Sequence, residues 1–276
     1  MDTLLLSRRD RYSAKERVDL ARAATRPNVR DYIDALFDNF FEIHGDRAYA
    51  DDKAVVCGIA SFGGIPVTVA GHLKGHDLTE NIRSSFGMPN PEGYRKFIRA
   101  AEQAEKFERP VITFIDTPGA YPGAGAEERG QGEAIARCLW TLSNLRTPII
   151  SIITGEGGSG GALALGVADR IVMLENSIFS ILSPEGFATI LWKDAKRSGE
   201  ACEVMKLTAF DLYDYNVCDR IVSEPDGGAG KNPKAVYNEL RLVLGEELHA
   251  LTKMRSDTLV QKRYKKFRSI GNQTGR

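Results

Sequence analysis

The sequence predicts an α/β fold arranged as a spiral of β-β-α units. Residues 111–115 and 149–154 are continuous apolar runs, and each is followed by a glycine-rich loop and a helix-forming segment. Apolar strands that alternate with helices are typical of an α/β core. Two further β-rich runs, 54–62 and 65–73, are joined by Gly63-Gly64, the two-residue connection of a tight hairpin. A hairpin combined with repeated strand, loop and helix units favours a spiral over a simple doubly wound sheet.

Capping residues and apolar spacing predict the remaining elements. Asn28, with Asp31 three residues later, predicts the start of a helix whose apolar stripe reaches residue 41 and which ends at Gly45. Pro91 predicts the first position of a second helix, which runs to residue 108. Further helices are predicted at 127–145, 184–193 and 233–252, with a short one after residue 161, and further strands at 171–174 and 178–182.

The charge of the chain is balanced overall but segregated along it. The 276 residues include 37 Lys+Arg and 37 Asp+Glu, yet residues 1–30 carry eight basic and four acidic side chains, and residues 251–276 carry eight and one. We expect a basic arm at 1–27, one central domain at 28–252 and a basic tail at 253–276. A neutral total argues against a nucleic-acid-binding protein, whereas the basic ends suit either solvated helix faces or docking surfaces.

Cysteine usage and hydropathy predict a cytoplasmic protein without a metal site. The four cysteines are scattered, at positions 57, 138, 202 and 218, with no Cys-x-x-Cys pair to begin a zinc ribbon. The apolar run at Leu4–Leu6 is too short for an export signal. Residues 148–168 contain six glycines and Glu156, so they are predicted to form a buried strand, a loop and a helix rather than a membrane span.

The loop at residues 155–161 matches several catalytic patterns at once. Gly155, Gly157 and Gly160 fit a dinucleotide fingerprint, with Glu175 about twenty residues later, although the helix that follows is short and the motif lies in mid-chain. Ser159 also fits a nucleophile elbow, for which Asp219 and His249 follow in the order of α/β-hydrolases. The run from Asp116 to Gly119 resembles a GTPase switch, but the sequence has no phosphate loop.

A simpler physical property unites the two glycine loops. Each presents backbone N–H groups at the start of a helix, where the helix dipole adds positive potential, so each is suited to an anion or an oxyanion. An enolate-type transition state is stabilised by such donors, and one donor contributes roughly 3 to 4 kcal/mol. The two loops therefore predict an oxyanion-stabilising site.

A longer series of motifs resembles the α chain of the bacterial acetyl-CoA carboxylase carboxyltransferase. The resemblance covers about residues 28–255, and the front of the chain is shorter than in many relatives. It rests on GDRAYADD (45–52), GHLKG (71–75), FGMP (86–89), PEGYRK (91–96), IDTPGAYPG (115–123), GAEERGQ (125–131), GEGGSGGAL (155–163) and SPEG (183–186). The resemblance implies a crotonase-like (ClpP/crotonase) fold, in agreement with the spiral of β-β-α units.

The resemblance also implies that this chain is one of two kinds of subunit that together form the enzyme. In the family, α and β chains form an α2β2 assembly with active sites at the interface, and the β chain carries the zinc ribbon. Carboxybiotin on the biotin carboxyl carrier protein, which biotin carboxylase charges, donates its carboxyl group to acetyl-CoA. The product is malonyl-CoA, in the first committed step of fatty acid biosynthesis.

Two oxyanion-hole glycines transfer from the family onto matching positions of this sequence, and the other site residues are inferred from their neighbourhood. The N–H groups of Gly160 and Gly161 are expected to hold the ureido oxygen of biotin, with Gly119 and Ala120 as further contributors. Expected substrate contacts are Gly157, Gly158, Tyr121, Lys74 and Arg95, and the two basic residues suit a solvated face equally well.

Three alternatives to the carboxyltransferase remain open at this stage. A crotonase-like acyl-CoA hydratase or isomerase would act alone, with Glu127, Glu128 or Glu156 as its carboxylate. A dinucleotide-dependent oxidoreductase would also act alone. The third alternative is a chain that only scaffolds a partner's site. Dependence of activity on a second chain separates the carboxyltransferase from the first two.

Overall fold

A computed structural model describes residue 5 and residues 7–271. Its strands form one mixed sheet in the order β1-β2-β3-β4-β5-β6-β8, and β7 pairs with β5 off this path. The strands are β1 (Asp38–Glu42), β2 (Val55–Phe62), β3 (Ile65–His72), β4 (Val111–Thr117), β5 (Ile149–Gly158), β6 (Arg170–Leu174), β7 (Ile178–Ser180) and β8 (Arg220–Val222).

Twelve α-helices lie within the described residues. They are α1 (Ala14–Ala21), α2 (Val29–Leu36), α3 (Leu78–Arg83), α4 (Pro91–Lys106), α5 (Ala124–Glu128), α6 (Gln131–Asn144), α7 (Ser159–Gly166), α8 (Pro184–Trp192), α9 (Ser198–Met205), α10 (Ala209–Asp214), α11 (Pro233–Thr252) and α12 (Ser256–Ser269). Short 3₁₀ turns lie at Arg9–Arg11, Ser85–Gly87, Ala195–Arg197 and Ala229–Lys231.

The predicted hairpin is present at β2 and β3. These strands pair antiparallel from Val55 opposite His72 to Phe62 opposite Ile65. Gly63 and Gly64 connect them with φ of 54° and 85°, the left-handed backbone that a two-residue hairpin turn requires. The hairpin brings β3 beside β4, where the parallel part of the sheet begins.

Buried parallel strands form the centre of the molecule. Every residue of β4 and β5 is buried, as expected for strands covered on both faces. Apolar residues of α4 and α6 pack on one face, and apolar residues of α2 and α11 pack on the other. Strand β5 pairs with β6 along its first half and with β7 at Glu156–Gly158, so β6 and β7 follow one another along β5. The predicted spiral of β-β-α units is confirmed.

Three predicted boundaries were wrong. The helix that begins after Asn28 ends at Leu36, and Phe40 and Phe41 lie on β1, because that segment pairs with β2. The helix predicted at 127–145 is interrupted at Gly130, whose φ of 85° separates α5 from α6. The strand predicted to end at residue 154 continues to Gly158, so most of the second glycine motif is strand rather than loop. The helix predicted at 233–252 is confirmed.

Buried arginines attach both ends of the described chain to the sheet. On the N-terminal side, Arg17 donates to the Glu175 carbonyl at 3.0 Å, and Arg26 forms a buried ion pair with Glu224. On the C-terminal side, Arg263 of α12 is 1% exposed and pairs with Asp169 at 2.7 Å. Arg263 also donates to the carbonyls of residues 142, 145 and 147, so the guanidinium is well satisfied.

Replacement of Arg263 by Met is expected to destabilise the fold by about 3 to 5 kcal/mol, since it leaves Asp169 buried without a counter-ion. Lys265→Met changes an exposed residue on the same helix and serves as the control. Denaturant unfolding measures both variants. Equal stability of the two variants would contradict a structural role for the buried pair.

Candidate active site

Two glycine turns meet at the carboxyl ends of β4 and β5. A Cβ atom on Gly161 would lie 2.6 Å from both the Ala120 nitrogen and the Gly119 carbonyl carbon. A Cβ on Gly158 would collide with the carbonyl of Pro118. The neighbouring atoms belong to the backbone and cannot rotate away, so only glycine permits this approach.

The second turn presents backbone donors at the start of a helix. Helix α7 begins at Ser159, and no helix carbonyl can accept the N–H groups of its first turn, which include those of Gly160 and Gly161. Gly160 is half-buried, and the positive end of the helix dipole lies at the same place. Ser159 has φ of 51°, an unfavourable backbone for serine of the kind found at functional turns.

The first turn has one engaged donor and one at the surface. The Gly119 N–H donates to Thr117 Oγ1 at 3.0 Å, and this hydroxyl donates back to the Gly119 carbonyl at 2.8 Å. Ala120, the next residue, is half-buried and borders Gly161. Ala120 therefore has the better-placed N–H group of this turn.

The other expected contact residues lie at different depths. Gly157 is buried, and a Cβ on it would lie 2.9 Å from the ring of Phe179. Tyr121 is 37% exposed at the outer rim of the first turn. The side chain of Gln131 holds this rim by donating to the Tyr121 carbonyl at 2.9 Å and to that of Pro89 at 2.8 Å. Gln131 is not among the predicted site residues, and it lies ten residues beyond Tyr121 in the chain.

Lys74 and Arg95 are both held by carboxylates, in different surroundings. Lys74 Nζ lies 2.7 Å from Asp116 and 3.6 Å from Glu156, next to the second turn. Arg95 lies on α4, where its guanidinium is 3.8 Å from both Asp46 and Glu92 and donates to the Arg129 carbonyl. The structure thus places Lys74 at the site and Arg95 beside the junction of α5 and α6.

A charged cluster that sequence analysis missed lies behind the turns. Arg22 donates to Glu156 at 2.9 Å and to Glu185 at 2.9 Å. Burial lowers the pKa of Arg22, but its pairing with both glutamates outweighs this effect and raises the pKa overall. Arg22, Lys74, Asp116 and Glu156 border a pocket of about 260 Å³ together with Pro118.

His72 is buried at the end of β3, near this cluster. It is 1% exposed, and its ring meets the backbone of Gly161 in a weak contact that lacks regular hydrogen-bond geometry. Burial lowers the pKa of His72 from 6.5 to about 4, although the negative charge of Asp116 opposes the shift. The imidazole is therefore neutral at pH 7.

The hydrolase and dinucleotide patterns do not assemble into sites. Asp219 pairs with Lys266 and accepts the Ile171 N–H at 2.6 Å, at the opposite end of the sheet from Ser159. His249 lies on α11 beside Lys253. Glu175 is fully buried and pairs with Arg8 at 3.1 Å, so it is not available to a ribose.

The described part of the chain contains neither a group of metal-ligand side chains nor a membrane-spanning helix. Within residue 5 and residues 7–271, no three His, Cys, Asp or Glu side chains are grouped as metal ligands would be. All four cysteines are buried and free. None of the helices between residues 7 and 271 combines the length and the hydropathy that a membrane span needs.

Solved structures share this fold at low sequence identity. A chain of transcarboxylase 12S superposes with a TM-score of 0.69 at 18% identity, over 88% of this chain and 45% of that one. A chain of a Pseudomonas malonate decarboxylase hetero-tetramer superposes with a TM-score of 0.62 at 18% identity, over 76% and 84%. The predicted crotonase-like fold is therefore confirmed.

Sequence comparison identifies the family within that fold class. The family model described as acetyl co-enzyme A carboxylase carboxyltransferase-like matches residues 6–271. The acetyl-coenzyme A carboxylase carboxyl transferase subunit alpha of Clostridium acetobutylicum is 55% identical over 256 residues, 93% of each chain. A Natranaerobius thermophilus relative named as subunits beta/alpha is 56% identical over 93% of this chain and 42% of its own. This chain belongs to the family of acetyl-CoA carboxylase carboxyltransferase alpha subunits.

His72 is expected to make the fold less stable as the pH falls from 6.5 to 4. In this range the imidazole of the unfolded chain binds a proton, whereas the buried imidazole of the folded chain stays neutral. The loss of unfolding free energy therefore reaches about 3 kcal/mol at pH 4. His72→Gln removes this contribution, and the difference between the two proteins in unfolding free energy is measured from pH 7 to pH 4. A difference that stays constant with pH would contradict the prediction.

Proposed function

We propose that this chain acts with a β chain to transfer the carboxyl group of carboxybiotin to acetyl-CoA, with malonyl-CoA as product. The observation that carries the proposal is the contact between two glycine turns, one of which starts a helix whose N-cap residue offers no side-chain acceptor to the N–H groups. Membership of the alpha-subunit family supports the reaction class. Carboxybiotin, delivered on the biotin carboxyl carrier protein and charged by biotin carboxylase, supplies the carboxyl group.

The backbone of this chain is proposed to stabilise developing negative charge. The N–H groups of Gly160 and Gly161 donate to the ureido oxygen of biotin, which becomes negative as the carboxyl group leaves. The dipole of α7 favours the same charge, and Ala120 adds a donor from the opposite turn. Each well-aligned donor lowers the barrier by about 3 to 4 kcal/mol. No side chain of the two turns has to titrate in this step.

Substrate contacts are proposed around the rim of the turns. Tyr121 is the exposed aromatic residue nearest to the first turn along the chain, while Gly157 and Gly158 shape the floor. Lys74 borders the 260 Å³ pocket, where the positive charges of Lys74 and Arg22 balance the negative charges of Asp116 and Glu156. Arg95 is proposed to meet a phosphate of coenzyme A or the partner chain, from its position on α4.

An exposed apolar surface next to the site is proposed as the docking surface for the β chain. Ile181, Ile190 and Leu191 are 78%, 62% and 59% exposed, and Val204 is also exposed. They lie at or near α8, whose Glu185 pairs with Arg22 beside the turns. Exposed apolar surface of this kind is typical of protein interfaces. The relative in which beta and alpha subunits are one chain supports this partner, and we propose an α2β2 assembly with zinc in the β chain.

The cytoplasm is the proposed location of the enzyme. Four free, buried cysteines suit a reducing compartment, where disulfides do not form. Acetyl-CoA and the carrier protein would meet the assembly there.

Gly161→Ala is expected to lower kcat at least about 100-fold, because its Cβ would push the two turns apart. Gly160→Ala is the matched control, since its Cβ would meet Ile135 at an ordinary 3.5 Å and the N–H is kept. Carboxyl transfer from malonyl-CoA to free biotin, measured with the β chain present, checks both variants. Full activity of Gly161→Ala would refute the role of the turn contact.

Leu191→Asp is expected to weaken assembly with the β chain by about 100-fold, since a charge would be buried at the interface. Leu242→Asp changes a somewhat more exposed leucine on α11 and should leave assembly unchanged. Calorimetric titration of β chain into each variant measures the affinity. Wild-type affinity of Leu191→Asp would exclude this surface as the docking site.

A further inference from the structure

The ladder between β4 and β5 contains an irregularity just before the two turns. Ile115 pairs with Ile153, but Thr117, only two residues later, pairs with Gly157. Strand β5 therefore contains two more residues than β4 across this step. At about 3.3 Å per residue, these two residues set the turn after β5 back by roughly 7 Å along the strand, compared with a regular ladder.

Side chains satisfy the backbone groups that the bulge removes from the ladder. The Glu156 N–H donates to Asp116 Oδ1 at 2.9 Å. The Thr154 hydroxyl donates to the Ile115 carbonyl at 3.3 Å, and Arg26 Nε donates to the Thr154 carbonyl. A buried backbone group without a partner costs about 1 to 3 kcal/mol, so these bonds stabilise the irregular register.

Asp116 occupies the space inside the bulge. Its side chain is nearly buried, and a Cβ on Gly155 would lie 2.5 Å from Asp116 Oδ1. Lys74 Nζ, 2.7 Å from the same oxygen, neutralises the carboxylate. One carboxylate thus links the end of β4, the bulge of β5 and the loop after β3.

We propose that Asp116 is a positioning residue for carboxyl transfer. Its carboxylate holds the bulge that carries Gly158 and Gly161 into contact with residues 118–120, and so sets where the N–H groups of Gly160 and Gly161 point. The inference rests on the proposed function, because it assigns these donors to the reaction. It adds to that function a residue that acts through the backbone of β5.

The chain offers a matched control at the other end of β5. Asp169 is also nearly buried, accepts one backbone N–H of β5, from Ile149 at 2.8 Å, and pairs with one cation, Arg263. Asp116 and Asp169 therefore make the same kinds of contact, and only Asp116 lies beside the turns. A purely structural effect should appear in variants of both residues.

The test compares Asp116→Ala, Asp116→Asn and Asp169→Asn in the assembly with the β chain. Asp116→Ala is expected to lower kcat about 100-fold with KM for malonyl-CoA little changed, as for a small displacement of catalytic groups. Asp116→Asn keeps an acceptor for the Glu156 N–H and should recover most of the lost rate. Asp169→Asn should lower the Tm while leaving kcat near that of the wild type.

Backbone amide exchange in the free chain provides a second readout that needs no activity. Asp116→Ala and Asp116→Asn should differ in the exchange rates of residues 156–161, with protection retained by Asn, whereas Asp169→Asn should leave these rates unchanged. An inactive wild-type assembly would refute the proposed function and leave the exchange result to decide the position of the turn. Unchanged kcat in Asp116→Ala, an equal loss in Asp169→Asn, or unchanged exchange would overturn the inference.

Discussion

The backbone of residues 118–120 packs directly against Gly158 and Gly161, and this contact depends on several features of the fold. It requires two glycines where a Cβ would meet backbone atoms, a turn that starts α7 at Ser159, and a register between β4 and β5 that brings the two strand ends level. Strands buried on both faces supply the rigid support. Because the donors belong to the backbone, their geometry is set by the fold rather than by side-chain rotamers, which suits preorganised electrostatic stabilisation.

Charge holds the surroundings of this contact together. Alternating charges run from Glu185 through Arg22, Glu156 and Lys74 to Asp116. They connect α8, the N-terminal segment, β5, the loop after β3 and the end of β4. The apolar surface proposed for the β chain begins on the same helix that carries Glu185. These ion pairs therefore connect the surface proposed for docking with the two turns.

Local signals in the sequence predicted the hairpin, the central strands, helix 233–252 and the two glycine turns. They failed where distant pairing decides the structure. Phe40 and Phe41 continue the helical spacing of residues 29–36, yet the antiparallel partner β2 draws them into a strand. Asp116 and Lys74 are 42 residues apart, and Arg26 and Glu224 are 198 residues apart, so no local sequence pattern predicts these ion pairs. The glycines at 155, 158 and 161 could be read from the sequence, but the atoms of residue 116 and residues 118–120 that leave no room for a Cβ could not.

The buried pair of Arg263 and Asp169 also affects how the chain folds during synthesis. Asp169 precedes Arg263 by 94 residues, and synthesis runs from the N-terminus, so the carboxylate exists long before its counter-ion. Until α12 is made, closing the sheet over Asp169 means burying an unpaired charge. We expect a chain that stops short of residue 263 to populate open, protease-sensitive states. Stable folding thereby depends on synthesis having passed residue 263.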